Sequence, residues 1–396
     1  MNNLNRMIAS KKTDNLRQTE INTTYTYDKG GNCTKVDENG IITNNTYNGL
    51  NQLVQSEVIK NNVRDSYTVY TYDANGNQIL EQTKDATSTI TEIVQKEYDA
   101  NNQLTKVTCR NGNTSGKIKY TQENTYNYDG KRISKNDNGA VTNYFYQGEV
   151  VLYTTDESGN VTSHNIIGPQ NNIIATIRYE NEGEHSYFYN KDIRTSVSNI
   201  IDESGQAIAS YKYGDYGKTT KVGNLNFYNE ICYTSGVYDE LTGLYYFNSR
   251  YYNPDTATFI TQDSYRGEAD DYETWNLYAY CGGNPISYVD PSGHKKEKIY
   301  GVVLEVKTTK TDKEKTKFVK ALYRISNKNK FKDKYKLFKI KVARQVLVAQ
   351  SAWESGYGTS NLAVNNNNLF GFVGKKYDSI KDSIEAYAWQ LNNGKQ

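Results

Sequence analysis

The stretch YTYDANGNQIL, residues 70–80, decides the fold. It alternates tyrosine with threonine up to Tyr72, turns over Asp-Ala-Asn-Gly-Asn, and resumes with the apolar Ile79 and Leu80. A period of two reads as a half-buried strand. Asp and Asn bond their own backbone in turns, and Gly supplies positive φ, so the middle reads as a tight turn between strands. The same form recurs in TYTYDKGGNCTKV (24–36), TYNGLNQLVQ (46–55), KEYDANNQLTKV (96–107) and YNYDGKRISKN (126–136). With Tyr27, Tyr47, Tyr72, Tyr98 and Tyr128 as the repeat tyrosines, the steps are 20, 25, 26 and 30 residues. Hairpins repeated at such spacing must stack or wrap to bury their faces.

The composition agrees with a large β-structure. The 396 residues hold 37 Tyr against 10 Phe, and only four Pro against 29 Gly. Tyr favours strands, and it buries a ring while its hydroxyl keeps a polar partner. Such a supply of aromatics excludes a disordered chain, despite a mean hydropathy of −0.83. Cys33, Cys109, Cys232 and Cys281 are widely spaced with no CxxC, which argues against a zinc or redox site and for structural cysteines. No run reaches the 18 or so apolar residues of a membrane helix. The opening MNNLNRMIASKK has no apolar signal core, and the repeats begin almost at once, so we expect the tail of a longer exported or cell-surface protein.

The net charge of +2 hides a division. Residues 1–294 carry 25 Lys and Arg against 36 Asp and Glu; residues 295–396 carry 22 against 9. An acidic part is followed by a basic one, which would be drawn to an anionic polymer.

The Tyr-Asp pattern resembles the YD repeats of the RHS family. YDELTGLYYFNSRYYNPDTATFITQDSY (238–265) and NLYAYCGGNPISYVDPSG (276–293) resemble that family's repeat-associated core. The resemblance implies a multi-domain, mainly β chain. YD repeats over 1–237 would form a spiralling β-sheet shell, with the core at 238–293. A linker over 294–311 and a variable cargo from 312 onward would follow. It also implies an aspartyl autoprotease that frees the cargo. By position Asp263 and Asp290 match the family's two aspartates, and Arg250 matches a supporting arginine. Two carboxylates that share a proton can activate water. This chain departs from the pattern at His294, where many members have Leu, and at Asn253, where Asp is common.

In the basic part, three- and four-residue apolar steps predict helices. Phe318, Leu322 and Ile325 share one face; Ile340, Val342, Val346, Ala349 and Trp353 continue the pattern, ended by Gly356 and Gly358. A third helix is predicted over 379–391. The motifs AQSAWESGYGTSNLA, NNLFGF and YDSIKDSIEAYAWQL resemble bacterial glucosaminidases, lysozyme-like peptidoglycan hydrolases. The resemblance implies a small, mainly α domain over 312–396, C-terminally incomplete, with Glu354 as general acid. Tyr357, Asn368, Phe370 and Tyr377 would line the substrate cleft. The surroundings of Glu354 suit that role. Trp353 and Tyr357 flank it, and no Lys or Arg occurs from Gln345 to Gly374 to hold it ionised. A plain carboxylate at a helix C-terminus would be electrostatically unfavourable.

The expected function is therefore an RHS-type toxin or cell-surface protein. Its cargo would cut peptidoglycan glycan strands as an endo-β-N-acetylglucosaminidase, with an immunity protein as a further partner. No metal, organic cofactor, nucleic-acid partner or membrane insertion is expected. The alternative is a non-catalytic surface protein that binds glycan or mediates adhesion. A nuclease cargo has only the basic charge in its favour, since His294 is the last histidine and no metal-type cluster follows it.

Overall fold

The computed structural model describes residues 1–14, 19–168, 171–180, 183–268 and 272–299. The chain divides into two units, Met1–Ile299 and Tyr300–Gln396. Only the first falls within the described residues, so the predicted helices, Glu354, Tyr357, Asn368, Phe370 and Tyr377 lie outside them.

Nineteen strands form one antiparallel sheet, from β1 (Ala9–Asp14) to β19 (Thr219–Gly223). Each strand pairs with the next in sequence, as in β1 with β2 (Thr19–Tyr27), β2 with β3 (Cys33–Glu38), and β18 (Ala207–Tyr213) with β19. Hairpin connections suit such a meander, because antiparallel neighbours need only short turns.

The turns are built as their sequence implies. At Asp28 the backbone N–H binds the Asn32 carbonyl at 3.0 Å, and the side-chain oxygen accepts the Asn32 N–H at 2.9 Å. Asp73 and Asp99 repeat this with Asn77 and Gln103. The third residue after the carboxylate takes positive φ, as at Gly31 (86°), Gly76 (81°) and Asn102 (62°).

The register slips by one residue just before Tyr27, Tyr47, Tyr72 and Tyr98. Each of the last three then sends its hydroxyl back one repeat. Tyr47 donates to the Cys33 carbonyl at 3.1 Å, Tyr72 to Leu53 at 3.1 Å and Tyr98 to Gln78 at 3.0 Å. The rings fill the space between repeats while the hydroxyls are satisfied.

The fifth repeat corrects the reading of the sequence. Tyr128 is 97% exposed. Tyr126 takes the repeat position instead, donating to the Leu104 carbonyl at 2.7 Å, and Asn127 opens the turn. In YNYD the first Tyr-Asn pair does the work of Tyr-Asp, because Asn offers the same side-chain acceptor.

The sheet curls until its ends meet. Asp215, just past β18, accepts hydrogen bonds from Tyr25 at 2.7 Å and from Ser10, and pairs with Lys12 at 2.7 Å. Tyr27 and Tyr216 join hydroxyls at 2.7 Å.

Residues 224–299 pack against this sheet. Their own four-stranded sheet runs β20 (Val237–Asp239), β21 (Leu244–Phe247), β22 (Arg250–Asn253) and β23 (Thr258–Phe259). Tyr233, Tyr245, Phe247, Tyr252, Phe259 and Tyr280 form a buried aromatic cluster, with Tyr252 and Tyr280 centroids 4.3 Å apart. Pairs of this kind contribute about 0.5–1.5 kcal/mol beyond area burial.

A buried ionic knot joins the two layers. Arg132 Nη2 donates to Asp239 Oδ1 at 2.9 Å, and Lys135 meets Glu230 at 2.7 Å and Asp239 at 3.4 Å. Burial pushes the Glu230 carboxyl up, but Lys135 and Arg132 outweigh it and hold the group down at about 2. All four cysteines are buried and free.

Candidate functional site

Three of the residues singled out in the sequence, Arg250, Asp263 and Asp290, come together in space. Arg250 opens β22 and is buried under the aromatic cluster, its guanidinium 3.7 Å from the centre of the Phe259 ring. Asp263 follows β23 and is fixed by its own N–H on the Leu277 carbonyl at 3.0 Å. Asp290 follows β24 (Tyr288–Val289), which pairs with β25 (Glu297–Lys298). That two-stranded pairing closes a loop, 290–296, and holds it beside Arg250.

The loop has a sequence reason. Asp-Pro-Ser-Gly is a turn signature, with Pro presetting φ and Gly allowing a left-handed residue. Gly293 has φ +74°, and a Cβ there would stand 2.5 Å from the Phe247 carbonyl oxygen, so no larger residue fits. The β21–β22 turn grips the same loop. Asn248 donates to the Pro291 carbonyl at 3.2 Å, Ser249 to Ser292 at 2.6 Å, and Arg250 Nε to Gly293.

The two carboxyl groups sit in unequal surroundings. Asp263 accepts Arg250 Nη2 on Oδ2 at 2.7 Å. Its Oδ1 takes the Tyr265 N–H at 3.0 Å and has His294 Nδ1 at 2.9 Å. Asp290 stands farther from the guanidinium, 3.9 Å, and its Oδ1 accepts the Lys295 N–H at 3.1 Å. Burial pushes the Asp290 carboxyl above its ordinary value, and Arg250 only partly opposes this. Burial likewise pulls the Arg250 guanidinium down to about 10, against the pull of both aspartates.

Such an arrangement can hold a proton on one carboxyl beside another engaged by donors, the division of labour acid–base catalysis needs. Among the described residues no group of three His, Cys, Asp or Glu side chains could hold a metal ion. Asn253, where the resembled pattern has Asp, still caps its turn by accepting the Asp255 N–H at 2.9 Å.

Sequence reasoning noticed His294 only as a departure from a pattern and missed its contact with Asp263. Phe259 beneath Arg250 and the backbone N–H of Lys295 were missed as well. Adjacency to Gly293, which places His294 in the loop, was the one signal available.

Comparison with known proteins gives two family matches. Residues 3–286 match the teneurin YD-shell model, and residues 328–396 match mannosyl-glycoprotein endo-beta-N-acetylglucosaminidase. The chain is 35% identical over 280 residues to the tRNA nuclease WapA of Bacillus subtilis (strain 168), a match covering 63% of this chain and 12% of that protein. It is 27% identical over 311 residues to toxin subunit YenC2 of Yersinia entomophaga, covering 71% of this chain and 30% of that one. A solved structure of TcdB2-TccC3 aligns with a TM-score of 0.41 at 18% identity, over 73% of this chain and 18% of that one. This chain thus spans a minor part of the relatives it matches.

Proposed function

Because the chain belongs to the teneurin YD-shell family of RHS/YD-repeat proteins, we propose that it is the shell, core and cargo of an RHS-type toxin or cell-surface protein whose cargo hydrolyses peptidoglycan. The glucosaminidase match over residues 328–396 carries this reading, because it spans the segment in which Glu354 lies between Trp353 and Ser355. Cleavage of a glycosidic bond needs a proton delivered to a poor alkoxide leaving group. Glu354 would deliver it, between N-acetylglucosamine and N-acetylmuramic acid, with Tyr357, Asn368, Phe370 and Tyr377 shaping the cleft. An immunity protein would be its natural partner, and secretion or surface display its setting.

The core would act as an aspartyl autoprotease. Water attacks a peptide carbonyl carbon in the 290–296 loop, and its proton passes to Asp263. Asp290 gives its own proton to the departing amide nitrogen, the C–N bond breaks, and a carboxylic acid and an amine result. Arg250, on the Gly293 carbonyl and on Asp263, holds loop and carboxylate together.

The test of the cargo is digestion of purified peptidoglycan by the whole chain and by Glu354→Gln, with mass spectrometry of the released fragments. Loss of a positioned proton donor lowers the rate by roughly 10²–10⁴-fold. New reducing-end N-acetylglucosamine from the wild type alone is the expected result. The names of the WapA relatives favour a second reading, a nuclease. It predicts tRNA cleavage that Glu354→Gln leaves untouched.

A further inference from the structure

We propose that His294 is a brake on self-cleavage: its ring occupies the side of Asp263 that faces the loop, where the attacking water must bind. This inference rests on the autoprotease reading above and names the control of that site.

The argument starts from the hydrogen-bonding capacity of a carboxylate, about four lone-pair positions on two oxygens. On Asp263, Arg250 occupies Oδ2 from the buried side at 2.7 Å. The other oxygen, Oδ1, has the Tyr265 N–H at 3.0 Å and His294 Nδ1 at 2.9 Å, so both its positions are filled. His294 belongs to the loop itself, so the ring in contact with Asp263 comes from the segment that Asp263 would act on. Oδ1, the oxygen in contact with the loop, therefore has no acceptor position left for a water while the ring is in place.

The ring is also removable. The His294 side chain is 41% exposed, whereas those of Arg250 and Asp290 are 5% and 4%. Taking it away opens Oδ1 toward solvent without loosening the loop. Five other anchors hold the loop: Asn248 on Pro291, Ser249 on Ser292, Arg250 on Gly293, the Lys295 N–H on Asp290, and the β24–β25 pairing. None of them uses the imidazole.

The groups that face the ring are therefore Asp263 directly, with Arg250 and Asp290 behind it. The Ser292 hydroxyl accepts the His294 backbone N–H at 3.3 Å, which holds the backbone without using the ring. A partner that drew the ring outward would release the brake.

The experiment uses the full chain as wild type, His294→Ala and His294→Gln, each with and without Asp290→Asn. Fragment appearance is followed by gel and intact mass over time, with thermal midpoints recorded to confirm folding. Freeing a site on a carboxylate is worth roughly a 10–100-fold faster cleavage in His294→Ala. His294→Gln keeps a side-chain donor and should stay near the wild-type rate, and Asp290→Asn should abolish cleavage in every background. If His294→Ala cleaves no faster than the wild type while Asp290→Asn still abolishes cleavage, the brake is wrong and the autoprotease stands. A chain that remains intact in every variant removes the autoprotease reading and the brake with it.

Discussion

The repeats and the core use the same side chain in opposite ways. In the turns an aspartate lies in water and accepts backbone N–H groups; Asp156 takes the Asn160 N–H at 2.8 Å and Asp202 the Gln206 N–H at 2.9 Å. Hydrogen bonds, from the Asn160 and Ser204 side chains above all, pull those carboxyls below their ordinary value. In the core Asp290 is shut away from water, and burial pushes it up. The turns need a dependable acceptor. The core holds a carboxyl whose charged form is disfavoured by burial. The difference lies in what surrounds the oxygens, not in the residue.

Three measurements would break or sharpen that contrast. The largest effect is expected at the knot between the layers. Asp239→Asn leaves Arg132 buried without its carboxylate, and loss of one partner of a buried pair costs roughly 3–5 kcal/mol; chemical denaturation should show it. A smaller loss is expected in a turn. Asp73→Ala strips the acceptor from Asn77, which is only 1% exposed, so about 1–3 kcal/mol should go. A turn change as costly as the core change would erase the distinction.

The subtlest test is pH. Asp85, Asp156 and Asp202 are lowered below 3.8, so their contribution is present above that value and is lost as pH falls through the folded-state range. Asp290 is raised, so its sign is reversed: stability is full below 3.8 and declines as pH rises through its folded-state value. Replacing the three turn aspartates by Asn should flatten the acid limb of a stability profile. Asp290→Asn should flatten the decline above it. If both changes act on the same limb, the two environments are not opposed.

The turns were legible because their chemistry is local. Asp28 and Asn32 stand four residues apart, and the sequence alone fixes what they can bond. Tyr128 was misread for the same local reason, since YNYD offers two tyrosines and only packing shows that Tyr126 is the half-buried one. The site was legible through resemblance alone. Arg250, Asp263 and Asp290 are too far apart in sequence for any periodicity to join them. The Arg132–Asp239 and Lys135–Glu230 contacts, 107 and 95 residues apart, left no trace in the pattern. His294 was visible as an oddity but not as a contact, because Asp263 lies 31 residues before it.

The clasp at Asp215 has a mechanical consequence. The strand pairings of the large sheet join neighbours one hairpin apart, whereas this clasp joins positions 190 to 205 residues apart. Closing so long a loop rather than a short hairpin costs roughly 3 kcal/mol more in chain entropy. Hairpins should therefore zip up first and the seam last. Under a pull on the N-terminus the order reverses: the seam parts, and the ribbon then unfastens tooth by tooth. Within the strand ladder no step requires all nineteen strands to yield together, and the ties to residues 224–299, such as Arg132 with Asp239, add resistance only at the strands that carry them.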